Sequence, residues 1–247
     1  MNSNFLHLAT WERLLVILLS SIIFRDYIDS GSVYILAYSG GEVGVPYETY
    51  FPMPTPAKDK PWYSIEQGNV HITMISTEHD WTKNSEQYQW MKKDMASVDR
   101  SKTPLLIFMG HRPMYTSAPG FLSVDEKVVD KVEPLLLASK VDLALFGHVH
   151  NYERTCSIYK SQCMKLPCKD EAGIDTYDHS NYNAPMQAII LLDSINNSWS
   201  LSRHSEYGSL REHATRTDIK LEVSMYENLR LALHTVRHLR MDSMTFI

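Results

Sequence analysis

Two short apolar runs each end in a glycine followed by a histidine. Pro104–Met109 leads into Gly110-His111, and Val141–Phe146 leads into Gly147-His148-Val149-His150. Neutral imidazoles gathered at one place suit a borderline divalent ion such as zinc, iron or manganese. Taken singly, each histidine is an ordinary polar loop residue. Two matched Gly-His ends in one chain read as a metal site.

The elements that must position them follow from the pattern around them. Runs this short and apolar read as strands buried on both faces, as in a parallel sheet. Gly147 is expected to let the backbone turn sharply where its strand stops. Between the runs, Ser123-Val-Asp-Glu126 has capping-box spacing. Val124, Val128, Val129, Val132, Leu135 and Leu136 recur at helical intervals, with Pro134 as an expected kink. Strand, helix and strand make a βαβ unit, which would bring His111, His148 and His150 to one sheet edge. In open α/β sheets that carboxyl edge is where ligands bind.

Upstream, Trp62–Glu66 and Val70–Ser76 read as strands about a Gln67-Gly68-Asn69 turn. Thr77-Glu-His-Asp-Trp81 then follows a strand end, and His79 and Asp80 are expected to support the site from behind its ligands. Tyr88, Met91 and Met95 mark an amphipathic helix over Asn84–Ser97. Downstream, Asn183–Ile190 reads as a further strand. Val223–Arg240 has helix-compatible spacing at Leu229, Leu233 and Val236, with His234 and His238 on one solvated helical face. The order of strands and helices predicts a layered α/β core.

The segments Phe108-Met-Gly-His-Arg-Pro-Met-Tyr-Thr-Ser117 and Phe146-Gly-His-Val-His-Asn-Tyr-Glu-Arg-Thr155 resemble the last two metal motifs of the plant purple acid phosphatases. These belong to the calcineurin-like metallophosphoesterases. The resemblance runs, with gaps, from about Arg25 to about Leu221. It implies a metallophosphoesterase-like β-sandwich flanked by helices, incomplete at its N-terminal side, as in a truncated C-terminal part of the catalytic domain. It also implies hydrolysis of phosphate monoesters at a dinuclear centre of ferric iron with zinc, manganese or ferrous iron. Two such metals lower the pKa of a bound water and clamp the phosphate for an in-line displacement. By the same resemblance His111 and His148 ligate the divalent metal and His150 the ferric ion. Arg112 and Tyr152 join His79 and Asp80 behind them. Small phosphate esters or nucleotide phosphates are the implied substrates, and secretion or a vacuolar location is implied too.

The sequence departs from that pattern in one respect that matters. Arg25-Asp-Tyr-Ile-Asp-Ser-Gly-Ser-Val-Tyr34 resembles the segment that follows a Gly-Asn-His-Glu motif in the family, where the Asn ligates metal and the His assists phosphate. Here Ser21, Ile22, Ile23 and Phe24 stand in those places, and the chain contains no Gly-Asp dipeptide, the core of the family's earlier motifs. The inherited chemistry is therefore expected to be impaired or lost. The alternative is a non-catalytic protein that binds metal or phosphate weakly, or an interaction module.

Composition adds limits. The 247 residues are 44% hydrophobic and 21% charged with a net charge of -5, which fits a globular protein and argues against nucleic acid as a partner. Leu14–Phe24 is apolar but shorter than the ~20 residues a membrane-spanning helix needs; it reads as a signal-peptide core or a buried element. The expected organisation is an apolar segment over 1–24, a partial catalytic domain over 25–221, and a helical tail over 222–247. Losing the first strands would leave a sheet edge open to association, including with a second copy. Cys156 and Cys163 match a family pair that closes a short disulfide loop, and reduced thiols are the other reading. Asn196 opens a glycosylation sequon, meaningful for a secreted chain.

Overall fold

Leu105–Gly110 and Leu143–Phe146 are strands in the computed structural model, and every residue of both is buried. The structure describes residues 52–57, 60–117, 126–148, 152–189, 198–204, 208–225 and 232–237. The expectations for Leu14–Phe24, Ser21–Phe24, Arg25–Tyr34, His150 and Asn196 lie outside these residues.

The chain enters with a hairpin, β1 (Tyr63–Gln67) against β2 (Val70–Met74). Its two-residue loop works because Gly68 takes φ 58°, the left-handed backbone a tight hairpin turn needs at that place. Helix α1 (Glu86–Ser97) starts where the Ser85 hydroxyl accepts from the Tyr88 amide at 3.1 Å. After β3 (Leu105–Gly110), helix α2 (Glu126–Ala138) continues through Pro134. It stops at Lys140, φ 52°, with Lys140 N donating to Leu137 O and Val141 N to Leu136 O. That is the paired bonding of a Schellman stop, built here without glycine. Strand β4 (Leu143–Phe146) follows, parallel to β3, which is parallel to β2. The βαβ unit read from the sequence is present.

Next come β5 (Tyr152–Tyr159) and β6 (Gln162–Lys165), joined by Lys160-Ser161, both at positive φ as a type I′ turn requires. Then β7 (Cys168–Lys169), β8 (Asp175–Asp178), β9 (Met186–Ile189), β10 (Ser200–His204), β11 (Gly208–Ala214), β12 (Asp218–Met225) and β13 (Ala232–Arg237) complete the described strands. The larger sheet runs β1-β2-β3-β4-β9-β5-β10, with β6 on β5; the smaller runs β11-β12-β13-β8-β7. Strand β9 thus lies between β4 and β5, which are neighbours in sequence.

One face of the larger sheet packs on the smaller: Ile107, Met109, Leu145 and Met186 share a core with Ile219 and Leu221. The other face packs on the helices, with Leu106, Phe108 and Phe146 against Met91, Met95, Val132 and Leu136. Each such side chain, fully buried, contributes ~1.5–3 kcal/mol. Arg154 of β5 crosses between the sheets, donating from Nη2 to Asp175 at 2.6 Å and from Nη1 to the Tyr177 hydroxyl.

The tail corrects one expectation. Where it is described, residues 222–247 are strand: β13 pairs antiparallel with β12 and parallel with β8. Ala232-Leu-His-Thr-Val-Arg237 satisfies a period of two as well as one of 3.6. Hydrogen bonds to strands on both sides settle the choice, and His234 sits opposite Leu221 in a sheet. His234 therefore does not lie on a helix, and His238 lies outside the described residues.

Candidate functional site

The site is built where β3 and β4 end. Gly110 closes β3 in a tight place: a Cβ there would lie 3.2 Å from Thr77 Cγ2, 3.3 Å from Ile75 Cγ1 and 3.4 Å from Phe146 Cε1. One strand further, the Gly147 amide donates to the His111 carbonyl at 2.9 Å and ties the two motifs together. The sharp turn expected of Gly147 is made instead by His148, at φ 67°, while the described glycines with positive φ are Gly68 and Gly173. A histidine in the left-handed region is held there by its surroundings.

Those surroundings are polar and specific. His148 Nδ1 lies 2.9 Å from His111 Nε2, and His148 Nε2 lies 3.1 Å from Arg112 Nη1. Arg112 Nε donates to Glu78 Oε1 at 2.9 Å, and the Arg112 amide donates to Thr77 Oγ1 at 3.2 Å. Arg112 and Glu78 side chains are only 6% and 2% exposed, so the pair is a buried one, while His148 is half-buried. A guanidinium has donors and no acceptor. His148 Nε2 therefore accepts, the ring proton of neutral His148 sits on Nδ1, and Nδ1 donates to His111 Nε2. The result is a directed chain: Glu78, Arg112, His148, His111.

The loop after His111 is fixed from below. The Tyr115 hydroxyl donates to Glu133 Oε1 of α2 at 2.5 Å, and Glu133 also accepts from the Lys160 amide of the β5–β6 turn. Burial pushes both the Tyr115 phenol and the Glu133 carboxyl up, reinforced on Tyr115 by Glu133 itself. Glu153 of β5, fully buried, accepts from the Ser117 amide at 2.9 Å.

The remaining expected residues are placed as follows. His79 turns inward, with Nδ1 2.7 Å from Ser76 Oγ and its ring edge-on to Trp62. Asp80 is exposed and accepts from the Thr82 amide at 2.8 Å, so it takes no part in the cluster. Tyr152 lies in the core between the sheets, where burial pushes its phenol up despite Arg154. Cys156 and Cys163 are joined by a disulfide across β5 and β6, and Cys168 is free and exposed. Sequence reasoning missed Glu78. The signal was there, since a buried Arg112 needs a carboxylate.

The family's metal can be tested against this donor set. Two nitrogens 2.9 Å apart match neighbouring ligands on one ion with bonds of ~2.0–2.1 Å. The hydrogen bonding does not match, because the lone pairs of both Nε2 atoms are already engaged and Nδ1 of His148 carries a proton. Among the described residues, no group of three or more His, Cys, Asp or Glu is placed to hold a metal ion. The Glu78 carboxylate, which this chain of bonds reaches, is committed to Arg112. As placed, these residues do not fit a dinuclear centre.

A large mixed sheet packed on a smaller sheet and two helices, with histidines at its carboxyl edge, is the architecture of the metallophosphoesterases. The chain belongs to the calcineurin-like phosphoesterase family, whose pattern matches residues 21–152. It is 39% identical to probable inactive purple acid phosphatase 27 of Arabidopsis thaliana over 193 residues, 76% of this chain and 32% of that protein. It is 31% identical to a nucleotide pyrophosphatase/phosphodiesterase of Hordeum vulgare, over 74% of this chain and 52% of that one. The solved purple acid phosphatase PPD1 from yellow lupin (Lupinus luteus) seeds is similar in structure, with a TM-score of 0.76 and 34% identity. That match covers 87% of this chain and 39% of the lupin chain. The chain spans about a third of the length of the Arabidopsis relatives it matches.

Proposed function

We propose that this chain keeps the phosphoesterase scaffold without hydrolysing phosphate esters by itself, and that its histidine edge is a weak binding corner for a single divalent ion or a phosphate. The observation that carries this is the closed chain Glu78–Arg112–His148–His111, in which the imidazoles bond to each other and to a guanidinium. Hydrolysis of the family's kind needs oxygen ligands that bridge two ions and activate a water. Ser21–Phe24 offers no such ligand where the family has Asn and His. The names of the Arabidopsis relatives, probable inactive purple acid phosphatases, agree with this reading.

The chemistry the scaffold inherits is hydrolysis of phosphate monoesters or nucleotide phosphates with iron and a second divalent metal. The Cys156–Cys163 disulfide supports an oxidising compartment, secreted or vacuolar, where Asn196 would be open to glycosylation. Among the described residues, no helix is long and apolar enough to cross a membrane. The deciding experiment measures metal content and p-nitrophenyl phosphate turnover on one preparation of the full chain. At most one weakly held metal and no turnover are expected. Two metals per chain with turnover abolished by His148→Ala would overturn the proposal.

A further inference from the structure

We propose that Arg112 is a built-in competitor of the metal: its guanidinium occupies His148 and weakens the hold of the histidine edge on divalent ions. This rests on the reading of a non-hydrolytic site and adds what weakens that site's hold on metal.

The argument is one of tautomers and charge. An ion bound jointly by the two facing nitrogens would need the lone pairs of His111 Nε2 and His148 Nδ1. The first accepts the His148 hydrogen bond and the second carries a proton, because Arg112 Nη1 donates to His148 Nε2 at 3.1 Å. For the ion to enter, the proton must move from Nδ1 to Nε2, since losing it outright would leave an imidazolate. If it moves, an N–H of His148 faces an N–H of Arg112, two donors with nothing between them to accept. Arg112 must then swing away, yet its Nε is bonded to Glu78 at 2.9 Å and both side chains are buried.

Charge acts in the same direction. A divalent ion beside His148 would stand within a few ångströms of a buried guanidinium, where water screens poorly. A histidine that ligates metal ordinarily gives its other ring N–H to a carboxylate or carbonyl, which fixes the tautomer the metal needs. Here a cation stands in that position, so the opposite tautomer is fixed. The carboxylate is one residue further away, on the far side of Arg112, where it neutralises the guanidinium rather than the ion.

The test is zinc binding by the full chain, with imidazole nitrogen NMR as a second readout. In the unaltered protein His148 is expected to carry its proton on Nδ1. Arg112→Met is expected to bind Zn2+ at least tenfold more tightly, and adding His148→Ala is expected to remove the gain. Glu78→Gln with Arg112→Met removes both buried charges together and gives the same comparison if the single variant does not fold. Unchanged or weaker zinc binding in a folded variant would overturn the proposal, as would a His148 proton found on Nε2. Phosphate-ester turnover by the unaltered chain would instead count against the proposed function and leave the direction of the zinc effect to be read separately.

Discussion

The two ends of β3 and β4 carry the same three residue types in opposite arrangements. At the amino end a carboxylate is central: Asp142 accepts from Arg100 at 2.8 Å, from the Leu106 amide at 2.8 Å and from His179 Nδ1 at 3.2 Å. Arg100 also donates to the carbonyls of Pro104, Ser139 and Lys140, closing the end of α2. At the carboxyl end a guanidinium is central, with Glu78 on one side and His148 on the other. Asp142 and His179 are 0% and 2% exposed, whereas His148 is half-buried. A saturated carboxylate makes a clamp. A guanidinium between a buried acid and a part-exposed imidazole can be opened from the solvent side.

The largest effect that would sharpen this contrast is on stability. Asp142→Asn is expected to cost ~3–5 kcal/mol, because at a fully buried position it leaves the part-buried Arg100 and the buried Leu106 amide poorly matched. Glu78→Gln is expected to cost about 1–3 kcal/mol, since Arg112 keeps its bond to the half-buried His148. Urea unfolding of both variants measures the difference, and equal losses would break the comparison.

A third carboxylate asks whether saturation alone makes a clamp. Asp94 of α1 accepts from Ser64 at 2.5 Å, Thr73 at 2.7 Å and His71 at 3.1 Å. Burial raises its pKa, but the hydrogen bonds from His71, Ser64 and Thr73 prevail and hold it below the ordinary carboxylate value. A lowered folded pKa gives stability that is present above the unfolded value of ~3.9 and is lost as pH falls through the folded one. Unfolding midpoints from pH 6 downward should therefore drop in the acid range, and Asp94→Asn should flatten that drop. An unchanged slope would mean Asp94 is not held like Asp142.

The smallest effect compares two left-handed residues. Lys140, φ 52°, is exposed at the end of α2, so Lys140→Gly is expected to gain about 1 kcal/mol or less in thermal unfolding. His148, φ 67°, has both ring nitrogens engaged, so His148→Gly is expected to show no such gain. A gain at both positions would mean the ring contacts contribute nothing.

Much of the fold was legible because it obeys local rules. The hairpin at Gly68, the helix marked by Tyr88, Met91 and Met95, and the apolar strands β3 and β4 each announce themselves within a few residues. Strand β5 did not, because Glu153 and Arg154 lie in its buried interior and their partners, Ser117 and Asp175, are far away in sequence. The tail misled for a related reason: β13 exists through its pairing with β8 and β12, and its own spacing also suits a helix. At the site, His111 and His148 could be read from the glycines before them. The role of Arg112 could not, since the same residue types make a metal's outer support or a substitute for the metal, depending on which nitrogen they face.

The placement of β9 between β4 and β5 has a consequence for the order of folding. Consecutive strands tend to pair first, yet here β4 and β5 must remain apart by two strand spacings, roughly 10 Å, until β9 arrives. The chain leaves β4 through Gly147 and His148, and both β4 and β5 complete their pairing only with β9, a segment distant in sequence. Early closure of β5 directly onto β4 would lock β9 out and leave a trapped species with the wrong edge. The histidine edge is thus expected to form late in folding, an order that refolding kinetics of β9 variants would measure.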